Sequence, residues 1–146
     1  MSRPKLIARL LRDNTGSVVT EFALLGPTVL TLMLGVFQIG IGMQNYNAMR
    51  AVSFEVMRYA VVSYQTDNNL TNAQLVSYAR SIATGQAYGL DATRLDITIA
   101  DVTTPRVTGT KEKTLKIVYA IPTVLSIIGY SEFPIKYSQA LFLVSE

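Results

Sequence analysis

The chain has 146 residues, with 13 Lys and Arg against 10 Asp and Glu and neither cysteine nor histidine. Without those two residue types it has no disulfide framework, no thiol or Ser-His-Asp chemistry, and no zinc site beyond carboxylates alone. The formal net charge of +3 belongs to residues 1–16, where Arg3, Lys5, Arg9 and Arg12 face only Asp13, while the remaining basic and acidic side chains cancel at nine each; a folded basic face for nucleic acid is therefore not expected.

In chain order, the first element is a basic leader, MSRPKLIARLLRDNT, closing at a turn-like Asn14-Thr15-Gly16. Phe22 to Met43 follows without a single charged residue. As a helix these residues cover about 33 Å, enough for a bilayer core of about 30 Å, so a transmembrane helix is expected over 17–43. Positive residues flanking a span stay in the cytoplasm, and the first cation on the far side is Arg50. The N-terminus is thus oriented inward, and residues 44–146 form an extracytoplasmic, periplasmic domain. A cleaved signal peptide is the rival reading, but its apolar region is shorter, about 7–15 residues, and ends at a small-residue site. Pro27 is expected to kink the span, because it cannot donate to the carbonyl of Ala23. Gly26, Gly35, Gly40 and Gly42 offer shallow faces to another helix, although no strict GxxxG is present.

The helix is expected to run on past the membrane. Met49, Val52, Val56, Ala60 and Val61 fall on or near one face, with Arg50, Glu55 and Arg58 mainly off it, until QTDNN (65–69) breaks the pattern. A second helix follows, with Thr71 as N-cap, Gln74 completing a capping box, an apolar face of Leu75, Tyr78, Ala79 and Ile82, and Gly85 as its stop. After Gly89 the period becomes two. Leu95, Ile97 and Ile99 mark one strand, Leu115, Ile117, Tyr119 and Ile121 a second, and Ile135 to Val144 a third. The expected fold class is α+β, with a roughly three-stranded antiparallel sheet. Arg106, Lys111, Lys113 and Lys116, with Glu112 among them, read as a solvated hairpin tip. Ile121 to Gly129 (IPTVLSIIG) is uncharged and fits either a segment tucked over the sheet or an exposed apolar patch facing another subunit or the membrane.

Glu21 is a carboxylate at the mouth of the span. It is explained either by headgroup level and the helix dipole or by pairing with an amine. A cut after Gly16 would make Ser17 the new N-terminus, and Glu21 lies four residues on, about 6 Å along the same face. Asp67, Asp91, Asp96 and Asp101 are scattered, with neither acid–base pairing nor calcium-loop spacing. No enzymatic activity and no cofactor are expected. Asn69-Leu70-Thr71 matches a glycosylation sequon, which carries no argument by itself.

The basic leader, Gly16, the four residues Ser17-Val18-Val19-Thr20, then Glu21 and Phe22 ahead of an apolar helix resemble the prepilin processing motif. More narrowly, GSVVTEFALLGP with its long span is similar to the TadE-like pseudopilins of tight-adherence (Tad) type IV pili; the last 30 residues resemble that family weakly. The resemblance implies cleavage between Gly16 and Ser17 by a prepilin peptidase, with Glu21 and Phe22 setting subunit register. It also implies a minor pilin that serves pilus assembly and so surface attachment and biofilm formation. Its implied partners are the peptidase, other pilins and pseudopilins, the inner-membrane assembly platform and membrane lipid. Its implied place is the inner membrane and, after assembly, the extracellular pilus. Phe22 departs from the tyrosine usual in the major Tad pilin, which is also much shorter. The alternative function is a single-pass anchored binding module with no role in a pilus.

Overall fold

A computed structural model describes residues 15–123, 129 and 131–144, with side-chain environments from Val18 onward. The basic leader up to Asn14 lies outside the described residues, as do 124–128 of the apolar segment. The elements are helix α1 (Thr15–Gln65), helix α2 (Asn72–Ala83), a short 3-10 turn (Ala92–Arg94), and strands β1 (Leu95–Asp101), β2 (Thr110–Pro122) and β3 (Glu132–Val144). The strands form one antiparallel sheet in the order β1-β2-β3. The fold is α+β, as the change of period from helical to alternating predicts. The chain divides into two compact units, Met1–Phe37 and Gln38–Glu146.

In the first unit, α1 is apolar on every side from Phe22 to Phe37. Phe22, Leu24, Leu25, Val29, Leu30, Leu32, Val36 and Phe37 are all exposed. A helix with no polar face and no protein cover matches a hydrocarbon environment rather than water. An 18-residue window of mean hydropathy 1.9 lies within Val18–Gln65, and none of that window is buried. By length and composition α1 is fit to cross a membrane once.

In the second unit, the same helix changes pattern. Met49, Val52, Val56 and Ala60 recur at three and four residues and are almost fully buried, forming one stripe that meets the sheet. Ser53 is buried within that stripe, and its hydroxyl donates to the Met49 carbonyl at 2.9 Å, so no polar atom is stranded. Helix α2 adds Leu75, Ala79 and Ala83. Its N-terminus is fixed as the sequence predicts: Thr71 caps the Gln74 N–H, while the Gln74 side chain accepts from the Thr71 N–H. It ends at Ala83 with Thr84 as its C-cap, so that Gly85, whose N–H closes on the Ile82 carbonyl, stands just past the end as the sequence predicts. Tyr59 and Tyr78 stack between the helices, with ring centroids 4.1 Å apart.

The central strand β2 supplies the floor of the core. Leu115, Ile117, Tyr119 and Ile121 point to the helices, opposite Ile99, Ile97 and Leu95 of β1 and Tyr137 and Ile135 of β3. Both β2 and β3 start earlier than their apolar alternation indicates. Strand β2 begins at Thr110 because Glu112 and Lys113 find partners within the fold. Strand β3 begins at Glu132 and admits Pro134, which an edge strand tolerates because only one side of its backbone is needed for pairing.

Candidate functional site

The predicted processing and register residues all fall in the first two turns of α1 and just beyond. The Gly16–Ser17 peptide is helical. It lies at the N-terminal edge of the described part of the helix. Glu21 follows one turn later and is exposed, as is Thr20. Phe22 is 76% exposed, and its ring edge lies 3.9 Å from where a Cβ on Gly26 would be. A side chain on residue 26 would start in contact with that edge, and glycine leaves it open.

Helix α1 continues through Pro27. The missing donor at Pro27 is accompanied by two hydroxyl bonds back to the helix: Thr31 donates to the Pro27 carbonyl at 2.8 Å, and Thr28 to the Leu24 carbonyl at 3.2 Å. Such back-bonding holds threonine in an apolar helix without an unsatisfied hydroxyl.

Three further arrangements lie in the second unit, none of them apparent from spacing alone. The first corrects the hairpin-tip reading. Glu112 is buried and accepts from the Arg106 backbone N–H at 2.7 Å, from Arg106 Nε at 2.7 Å and from Nη2 at 2.6 Å. The hydrogen bonds from the Arg106 side chain and backbone hold the carboxyl below its ordinary value. The Arg106 guanidinium also lies over the Phe142 ring, 5.3 Å from its centroid. The loop between β1 and β2 is therefore clasped onto the outer face of the sheet.

The second arrangement joins the layers. Lys113 donates to Asp101 and to Asn72, both at 2.6 Å, and Asn72 donates to the other Asp101 oxygen at 2.7 Å. The Lys113 side chain is only 12% exposed, so it too is no solvated tip. Hydrogen bonds from Lys113 and then Asn72 lower the Asp101 pKa. Beside this triad is a cleft of about 370 Å³ bordered by Tyr64, Asn69, Leu70, Leu75 and Lys111. Asp91 is spoken for as well: it caps the 3-10 turn by accepting from the Thr93 N–H at 2.8 Å. These carboxylates do not converge, and among the described residues no group of three or more acidic side chains is placed to hold a metal.

The third is at the start of the unit. Gln38 Nε2 donates to the Pro122 carbonyl at 3.3 Å, and a Cβ on Gly42 would sit 3.7 Å from Ile121 Cδ1. The end of β2 therefore packs on the last turns of the apolar run. Sequence reasoning passed over Gln38, although it is the largest polar side chain between Phe22 and Met43.

Residues 16–58 match the family model described as TadE-like protein. The matched stretch begins at the predicted cleavage glycine, contains the whole apolar run and reaches the helix stripe that meets the sheet. No curated protein and no solved structure matches the chain.

Proposed function

Residues 16–58 being TadE-like, and so pointing to a protein associated with Tad pili, we propose that this chain is a minor pilin of a Tad-type IV pilus, matured by a prepilin peptidase. The observation that carries the reading is the placement of Gly16, Ser17 and Glu21 on one helix that leads directly into a stretch, Phe22 to Phe37, whose large apolar side chains are exposed. The role proposed is structural, in subunit assembly.

The mechanism follows from helix electrostatics. Cleavage after Gly16 places a new ammonium on Ser17, at the positive end of the helix dipole, where a cation is disfavoured. A carboxylate about 6 Å further along compensates it, within the same chain or from a neighbour. In a polymer, one amine can be answered by one carboxylate at only one axial offset, so the pairing sets register as each subunit leaves the membrane. Phe22, uncovered beside Gly26, supplies an adjacent apolar contact. The subunit waits in the inner membrane with the leader inside and residues 44–146 outside, near the peptidase, the assembly platform and the other pilins.

The test is the N-terminal residue of the membrane-purified protein, read by intact mass. Maturation predicts a start at Ser17, retention of the leader in Gly16→Leu, and normal cutting but no filament incorporation in Glu21→Ala. Normal-size mature protein from Gly16→Leu would sink the cleavage step. Full-strength recovery of Glu21→Ala in sheared filaments would sink the pairing. A second reading, an anchored binding module, draws on the cleft beside Lys111 and Lys113. It requires the chain to keep its leader in cells with active peptidase.

A further inference from the structure

We propose that the β2–β3 end of the sheet is a second membrane contact, seated among lipid acyl chains at the outer surface of the bilayer. The inference rests on the reading of the apolar run as a membrane anchor. Within the second unit alone, the chain begins with Gln38–Met43, the uncharged end of that run. The sheet is fastened to this stretch by the Gln38–Pro122 hydrogen bond and by the close approach of Ile121 to Gly42. Pro122 is therefore level with Gln38, five residues inside the end of the apolar run, or about 7.5 Å along the helix. A membrane that takes up Ile39 to Met43 meets the sheet end at the same depth.

The surface there suits lipid. Ile39 is 64% exposed, Phe133 63% and Met43 63%. Ile39 and Phe133 border, with Ile121 and Ile135, a groove of about 320 Å³ whose lining is almost wholly apolar. Large exposed apolar side chains around one groove mark a contact surface, and aromatic rings gather at the boundary between hydrocarbon and headgroups. The charges are arranged accordingly. Glu132 stands at the groove rim, within reach of a headgroup layer about 5–7 Å thick. The next charge on β3, Lys136, is four residues further out, about 13 Å along the strand. Lipid is favoured over a neighbouring subunit because the groove shares Ile39 and Gly42 with the anchor itself, so acyl chains reach this level wherever the helix is inserted.

The absence of cysteine allows single-site labelling. Full-length Phe133→Cys, Ile39→Cys, Val29→Cys and Thr98→Cys, each carrying an environment-sensitive fluorophore, are reconstituted into phosphatidylcholine–phosphatidylglycerol vesicles. Quenching is then measured with nitroxide-bearing lipid and with aqueous iodide. The expected result is several-fold stronger lipid quenching at 133 and 39 than at 98, with matching protection from iodide. Strong lipid quenching at 29 with position 133 behaving like 98 would overturn the inference and leave the anchor standing. Protection of 133 from both quenchers would also overturn it, assigning the groove to protein, either a second copy of the chain or its own fold. Absence of lipid quenching at 29 would mean that the anchor reading itself fails.

Discussion

The core assignment can be broken at one position and checked at the next. Ile117 lies in the middle of β2, is fully buried, and sits between Ile97 and Tyr137 on the face that meets the helices. Its neighbour Val118 points to the other face, between Asp96 and Lys136, and is only partly covered. Ile117→Ala removes three carbons from a site with no solvent access, which costs about 2–5 kcal/mol. Val118→Ala is expected to cost less than about 1 kcal/mol, because little buried area is lost. For a domain of this size each kcal/mol shifts Tm by about 4–8 °C, so a 3 kcal/mol loss is about 12–24 °C. Tyrosine fluorescence isolates the relevant unit, since all eight tyrosines lie at or after Tyr46 and the chain has no tryptophan. The full chain in mild detergent, unfolded with urea, should show a midpoint about 1.5 M lower for Ile117→Ala at a slope of about 2 kcal/mol per M. Equal losses, or a larger loss for Val118→Ala, would place the sheet one residue out of register and refute the assignment of faces.

The clasp and the triad give further expectations in the same assay. Arg106→Met leaves the buried Glu112 carboxylate with only a backbone donor, so its midpoint should fall further than that of the double variant Arg106→Met/Glu112→Leu, which removes both charges. The reverse order would show that Glu112 is not buried in solution. Asp101 has a lowered pKa from Lys113 and Asn72, so its stabilisation is present above the ordinary value of 3.8 and is lost as pH falls through the lower folded value. The stability gap between wild type and Asp101→Asn should therefore hold from pH 7 to about 5 and shrink below pH 3.8. A gap still undiminished at pH 3 would contradict the ion pair. Because Asp101 is 65% exposed, the gap should be small and should narrow further in high salt.

Much of the fold was legible because its signals are local. The capping box at Thr71 and Gln74, the stripe from Met49 to Ala60 and the alternation through Leu95, Ile97 and Ile99 each depend on residues within a turn or two. What escaped depends on pairing across the chain. Nothing near Glu112 announces that a charged residue in a Lys-Glu-Lys run will be buried, because its partner Arg106 becomes adjacent only when the loop folds back. Lys113 likewise reads as exposed until α2 brings Asn72, 41 residues distant, beside it. Gln38 drew no reading from the sequence, because its acceptor is 84 residues away. At the candidate site the reverse holds. Gly16, Glu21 and Phe22 form a local motif that is read from the sequence without any fold, and the roles assigned to them remain part of the proposal.

The pattern of α1 explains why one helix serves two purposes. From Phe22 to Phe37 its large apolar residues are exposed all round, whereas from Met49 onward they are confined to one buried stripe. Any average over the whole element cancels that contrast, so the helix is informative only when read in pieces. The glycines follow the same division: Gly35 and Gly40 have open space beside them, whereas Gly42 lies against Ile121 of its own sheet. The first two leave a bare backbone for lipid or another helix; the third admits the sheet. On the proposed reading, side chains before Phe37 answer to a membrane and to a pilus assembly, while those after Met49 answer to the chain's own core. Substitutions in the first stretch should alter insertion and incorporation with the tyrosine-monitored unfolding unchanged, and substitutions in the second should do the opposite.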